Sequence, residues 1–246
     1  MTNIKIISLH SFRRGVGKST LVANLAAQLV QNGRSVGLFD INLQSPSLHL
    51  FFGLTQPEIT LTDVLSNTIS IKEAAYPVLL HENGGQLQLV PASGATGDIQ
   101  RVLRGQLQLE MLTEHIEQLA EAYNLDLILL DTYAGLHEET LQAMAVADQI
   151  FILLRPDQQD FQGTAVLVDV AKRLNTLSVE LIVNQCPPQL PQAHVRAEVE
   201  KSYGCTVTAV LPHVPEMLSL TSSTLFVQQF PTQNYTQMLD TLLYKL

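Results

Sequence analysis

The sequence predicts an α/β fold, a doubly wound and mostly parallel sheet flanked by helices, in a single domain over residues 1–246. Three observations carry that prediction. Short apolar runs alternate with longer helical patterns from one end to the other, and such alternation builds parallel strands joined by helical crossovers. Several runs, among them Leu127–Leu130, Ile150–Leu154 and Leu181–Val183, are apolar at every position, as strands covered on both faces must be. The first run also opens into a glycine-containing loop with a helical pattern directly behind it.

In chain order the strands are expected at Ile4–Leu9, Ser35–Phe39, Leu87–Val90, Leu127–Leu130, Gln149–Leu154, Val179–Val183 and Val207–Leu211. The helices are expected at Lys18–Gln31, about Asp98–Tyr123, Glu138–Ala147, Gln158–Leu174, Ala193–Tyr203 and Asn234–Tyr244. The stretch from about Gln44 to Gly85 holds Pro46, Pro57, Pro77 and the Gly84-Gly85 pair. It reads as loops and short helices, and a long irregular connection of this kind is often functional. Cys186-Pro187-Pro188-Gln189-Leu190-Pro191 reads as a stiff turn after a strand.

Composition narrows the classes. A hydrophobic content of 46% and a charged content of 15% suit a chain that buries a sizeable core. The net charge of −9, with 14 Lys and Arg in all, weighs against a surface made wholly for nucleic acid. Cys186 and Cys205 form no C-x-x-C pair and read as small core hydrophobes in a reducing compartment. No apolar run approaches the roughly 20 residues that span a bilayer, and no signal-type leader opens the chain. A cytoplasmic location is expected.

The chemistry is concentrated at Arg13-Arg14-Gly15-Val16-Gly17-Lys18-Ser19-Thr20, between the first strand and the first helix. Glycines let the backbone turn its N–H groups toward phosphate oxygens, and the helix N-terminus adds its positive end. Lys18 would neutralise β/γ-phosphate charge and the Ser19 hydroxyl would ligate Mg²⁺. Asp40 and Asp131 end two apolar strands. A carboxylate there faces the crevice in which such folds bind ligands, and one of them can hold Mg²⁺ through water. ATP with Mg²⁺ is the expected ligand.

The general phosphate-loop pattern would put its first glycine at Phe12. The loop instead resembles the deviant K-G-G-x-G-K-[ST] loop of the ParA/MinD superfamily, with Arg13 at the leading lysine and Arg14 at the next glycine. The resemblance implies that Arg13 reaches the nucleotide of a partner subunit, since arginine keeps the charge and offers a fork for phosphate. Two readings stay open for both arginines: phosphate contact, or solvated loop side chains. Asp131 in D-T-x-x-G is similar to the family's Walker B aspartate. Asp40-Ile41-Asn42-Leu43-Gln44 looks like its D-x-D-P-Q switch, with Asn42 at the aspartate that helps activate water. An amide orients water but takes no proton, so the resemblance implies slow or absent hydrolysis with Lys18, Asp40, Asn42 and Arg13 as the catalytic set.

Asn184 follows a strand where GTPases carry N-K-x-D, but the guanine-reading carboxylate would fall at Pro187. In the ParA/MinD family an Asn here reads adenine and a proline after the last strand lies near the base, which maps to Asn184 and Pro212. The implied function is an ATP-dependent partition or positioning switch. It would form an ATP-bound homodimer that recruits an adaptor or cargo protein. A nucleotide-gated scaffold with negligible hydrolysis is the second reading, and a biosynthetic kinase or ligase for a small carboxylic acid the third. The segment Tyr235–Leu246 carries Lys245 as its lone cation, unlike an amphipathic membrane helix. Arg101, Arg104, Lys172, Arg173, Arg196 and Lys201 could form a basic patch or be salt-bridged; nonspecific DNA binding is allowed by the resemblance and gets little support from charge.

Overall fold

The structure, a computed structural model, describes residues 4–66, 69–174 and 178–246. Its centre is an eight-stranded sheet of β1 (Lys5–His10), β2 (Ser35–Ile41), β3 (Tyr76–Leu80), β4 (Gln86–Val90), β5 (Leu127–Thr132), β6 (Gln149–Leu154), β7 (Ser178–Cys186) and β8 (Val207–Pro212). The spatial order is β3-β4-β2-β5-β1-β6-β7-β8. Every pairing is parallel except β3 with β4. The longer helices are α1 (Lys18–Gln31), α4 (Thr96–Leu103), α5 (Leu112–Tyr123), α6 (Glu138–Ala145), α7 (Gln158–Arg173), α8 (Gln192–Tyr203) and α11 (Asn234–Leu243). Short helices α2 (Leu48–Phe51), α3 (Leu61–Leu65), α9 (Glu216–Ser219) and α10 (Phe226–Gln229) complete the set.

Alternate strand residues feed two cores, which is why the strands read as unbroken apolar runs. Ile128 and Leu130 pack with residues of α5, α6, α7 and α8, among them Ile116, Met144, Leu167 and Val199. Leu127 and Leu129 pack on the other side with α1, α10 and α11, through Leu25, Phe226 and Leu239. Helices on both faces confirm the doubly wound reading. Strands β1, β2 and β5 meet centrally, so their C-terminal ends open onto one crevice.

The structure corrects two expectations. Tyr76–Leu80, inside the stretch read as irregular, is the edge strand β3; Asn67 and Thr68 of that stretch lie outside the described residues. Its Pro77 is tolerated at an edge, and its half-exposed, hairpin-joined antiparallel course gave no apolar run to read. The helix expected over Asp98–Tyr123 is two helices. α4 stops before Gly105, which takes a left-handed φ of 62°, and a 3₁₀ turn at Leu109–Met111 restarts the chain into α5.

Arg101, Arg173 and Arg196 pair with Asp98, Asp169 and Glu200 on their own helices, and Lys172 donates to the Tyr203 carbonyl. Local pairing thus accounts for four of the six candidate patch cations. Cys186 and Cys205 are buried and free. Among the described residues no helix is long and apolar enough to cross a membrane.

The β3–β4 hairpin closes against the end of α1 at Gly85, where an added Cβ would overlap the Val30 carbonyl oxygen, while one at Gly94 would meet open space. Gly85→Ala is expected to cost about 2 kcal/mol or more and Gly94→Ala within about 0.5 kcal/mol of nothing, measured by urea denaturation. Equal costs would contradict this packing.

Candidate functional site

The loop after β1 is shaped by two glycines and held from the side by β7. Gly15 (φ 80°) and Gly17 (φ 85°) are left-handed, and Gly17 caps α1 without any side-chain partner. The first-turn N–H groups of α1 are therefore left to face a ligand. Asn184 Nδ2 donates to the Val16 carbonyl (2.8 Å) and Gln185 Nε2 to the Gly15 carbonyl (3.1 Å). A Cβ on Gly17 would lie 2.6 Å from Asn184 Nδ2, so glycine is required there for both φ and space.

Beside the loop, parallel register places Asp40 directly opposite Asp131, and both are fully buried. Lys18 Nζ donates to Asp131 Oδ1 (3.0 Å) and to the Thr132 carbonyl oxygen. Asp131 Oδ2 is buried and has no hydrogen-bond partner among the described residues. Asp40 accepts N–H bonds from Asn42 (3.1 Å), Ser47 (3.2 Å) and Leu48 (3.2 Å). Those donors favour its charged form, but burial and then the neighbouring Asp131 win, and its carboxyl is pushed up to about 8. A carboxyl raised that far holds its proton at neutral pH.

Under Lys18 lies a neutral relay. Thr132 Oγ1 donates to the Leu9 carbonyl (2.7 Å), so His10 Nδ1, 3.0 Å away, is the donor to that oxygen, and Nε2 accepts from Ser8 Oγ (2.8 Å). Burial, then the Lys18 charge, lowers His10 to about 3, which keeps the ring uncharged.

The remaining candidates separate. Ser19 and Thr20 line a polar cavity of about 240 Å³ with Gly15–Lys18, Asn42, Tyr133 and Arg14. Asn42 Nδ2 donates to the Ser45 carbonyl (2.6 Å), and its buried Oδ1 has no partner among the described residues. Pro212 lies instead on an adjoining cleft of about 220 Å³ with Asn184, Val214, Met217 and Leu218. The two share Gly17, Thr20, Phe51 and Ser222 and so form one crevice, polar at one end and largely apolar at the other. With Asn184 Nδ2 committed to the loop, its Oδ1 is left as an acceptor for the ligand. Arg13 lines the polar cavity but directs its guanidinium to Gln159 Oε1 and to Asp160 Oδ1 (3.7 Å) on α7. Arg14 lies over the Tyr133 ring, 4.4 Å from its centroid.

The arrangement fits a nucleotide with a divalent cation: phosphates on the loop, base in the apolar cleft, and the cation served by the Ser19 hydroxyl and the unpartnered Asp131 Oδ2. Sequence reading missed Thr132, Tyr133, Gln185, His10 and Ser222. Tyr133 carried a signal, an aromatic inside D-T-x-x-G; the others depend on contacts between distant segments.

Asp40 gives the site a pH signature. Its folded value lies above the usual 3.8, so the folded state holds a proton the unfolded chain has lost. Stability is then full below that usual value and is lost as pH rises toward 8. The depressed His10 acts oppositely, but below its usual 6.5. Between pH 6.5 and 8 the nucleotide-free protein is expected to lose stability by the order of 1 kcal/mol per pH unit, read from urea midpoints. A rising midpoint would refute it.

With this geometry established, comparison with known proteins is direct. The family model described as an AAA domain matches residues 4–190. An ATP-binding protein of Methanocaldococcus jannaschii is 28% identical over 211 residues, 86% of this chain and 75% of the relative. The septum site-determining protein MinD of Synechocystis is 26% identical over 221 residues, 89% of this chain and 79% of the relative. Pyrococcus horikoshii MinD, solved with Mg-ADP, superposes with a TM-score of 0.82 at 24% identity, covering 98% of this chain and 95% of the other. That last likeness is one of fold. The strand-end aspartates, the phosphate loop and the family match converge: this chain belongs to the ParA/MinD-like P-loop ATPases.

Proposed function

We propose that this chain is an ATP-dependent positioning or partition switch. Mg²⁺-ATP would bring two copies together face to face, the dimer would recruit an adaptor or cargo protein, and hydrolysis would release it. The observation that carries this reading is the continuous crevice, with Lys18 lining its polar end and paired to the buried Asp131, and with Asn184 and Pro212 at its apolar end. Gly15–Thr20 would hold the phosphates and Ser19 the cation, with Asp131, or Asp40 through water. Asn184 Oδ1, as an acceptor, suits the exocyclic amino group of adenine better than the carbonyl of guanine. Kinship with a septum site-determining protein supports a positioning role.

A switch requires a ligand that binds the two states unequally. Light scattering with Mg²⁺-ATP, with Mg²⁺-ADP and without nucleotide is expected to show a dimer with ATP alone. Monomers in all three would sink the switch.

Asn42 sets the rate. Its unpartnered Oδ1 can accept from a water but cannot take its proton, which favours slow turnover. Asn42→Asp is expected to raise phosphate release about tenfold or more. An unchanged rate would refute that role for Asn42, and no phosphate release even with a partner present would leave the chain as a nucleotide-gated scaffold.

A further inference from the structure

We propose that Arg14, not Arg13, is this chain's sensor of the terminal phosphate, acting within its own subunit from a platform made by Tyr133. The inference rests on the reading of the crevice as an ATP site and reverses the role that the loop's resemblance gives Arg13.

Three observations separate the adjacent arginines. First, Arg13 is already engaged. Its guanidinium donates to Gln159 and pairs with Asp160, whose side chain is 2% exposed and whose carboxylate also accepts from the backbone N–H and the guanidinium of Arg155. Second, the residue before it is docked on the same helix. The Phe12 ring lies so close to Gly163 that a Cβ there would overlap it, so Phe12 and Arg13 together fasten the start of the loop to α7. Withdrawing Arg13 toward a second subunit would strip a buried carboxylate of one of its cations.

Third, among the described residues Arg14 pairs with no carboxylate, and it already lines the polar cavity. It stacks on Tyr133 at 4.4 Å, and Tyr133 is itself buried and braced edge-on by His137 at a 4.9 Å centroid separation. A cation held on an aromatic face is partly desolvated and pre-positioned. Both residues line the polar cavity with Lys18 and Asn42, at the end away from Asn184 and Pro212. A nucleotide whose base occupies the Pro212 cleft and whose phosphates follow Gly15–Lys18 directs its last phosphate toward that end. The planar fork of Arg14 then meets a γ-phosphate and finds nothing to hold on a diphosphate.

The test compares the full chain with R14A, R14K, Y133A and R13A by calorimetric titration of Mg²⁺-ATPγS and Mg²⁺-ADP. R14A is expected to weaken ATPγS about tenfold and ADP less than about twofold. R14K and Y133A should fall between wild type and R14A, and R13A should leave the ATPγS-to-ADP ratio unchanged. R14A shifting both nucleotides equally or neither, or R13A shifting the ratio, overturns the assignment. Mixing R14A with excess K18A supplies Arg14 only from a neighbouring subunit; recovery of tight ATPγS binding would overturn action in cis, and no recovery supports it. Wild type that binds neither nucleotide refutes the ATP site itself, a failure distinct from a lost ratio.

Discussion

The ion pair between Lys18 and Asp131, 3.0 Å long and almost wholly buried, is the constraint around which the rest of this structure is arranged. A buried pair of this kind is a poor source of stability, because removing both charges from water costs several kcal/mol that their attraction barely returns. Here the cost is compounded by Asp40 across the strand register. A sheet built for stability alone would carry apolar residues at these three places. The site therefore holds a buried ion pair beside a second carboxyl that keeps its proton at neutral pH, and a ligand that brings its own anion and its own cation would redistribute these charges. On the proposed reading, phosphate would take Lys18 and Mg²⁺ would be held by the carboxylates.

The fold serves that redistribution. Parallel strands β1, β2 and β5 put the loop, Asp40 and Asp131 at the same edge, and the neutral His10–Thr132 relay fixes the carbonyl on which Lys18 rests. β7 contributes Asn184 and Gln185 as a clamp on the loop backbone. The same Asn184 that braces the loop lines the apolar cleft, so on the proposed reading phosphate and base recognition would be joined through one residue.

Most of this was legible in the sequence because its signals are local. Continuous apolar runs marked the buried parallel strands, and the strand–loop–helix order marked the phosphate site. Asp40 and Asp131 stood out as carboxylates ending such runs. β3 was not legible, because an edge strand with Pro77 and half-exposed residues lacks an apolar run, and Gly105 broke a helical pattern that composition alone kept whole. The engagement of Arg13 was beyond reach for a different reason. Its partners lie on α7, 146 residues away in the case of Gln159, and only the folded chain brings Phe12 onto Gly163. The roles of neighbouring loop arginines are thus decided by tertiary contacts that motif spacing does not encode.

On nucleotide binding, Lys18 is expected to exchange Asp131 for phosphate. The direct measurement is a crystal structure of the chain with Mg²⁺ and a non-hydrolysable ATP analogue. Lys18 Nζ is expected within hydrogen-bonding distance of β- or γ-phosphate oxygens, with an Asp131 oxygen holding a metal-bound water. A bound nucleotide with Lys18 still on Asp131, or with its phosphates away from Gly15–Thr20, would contradict that exchange.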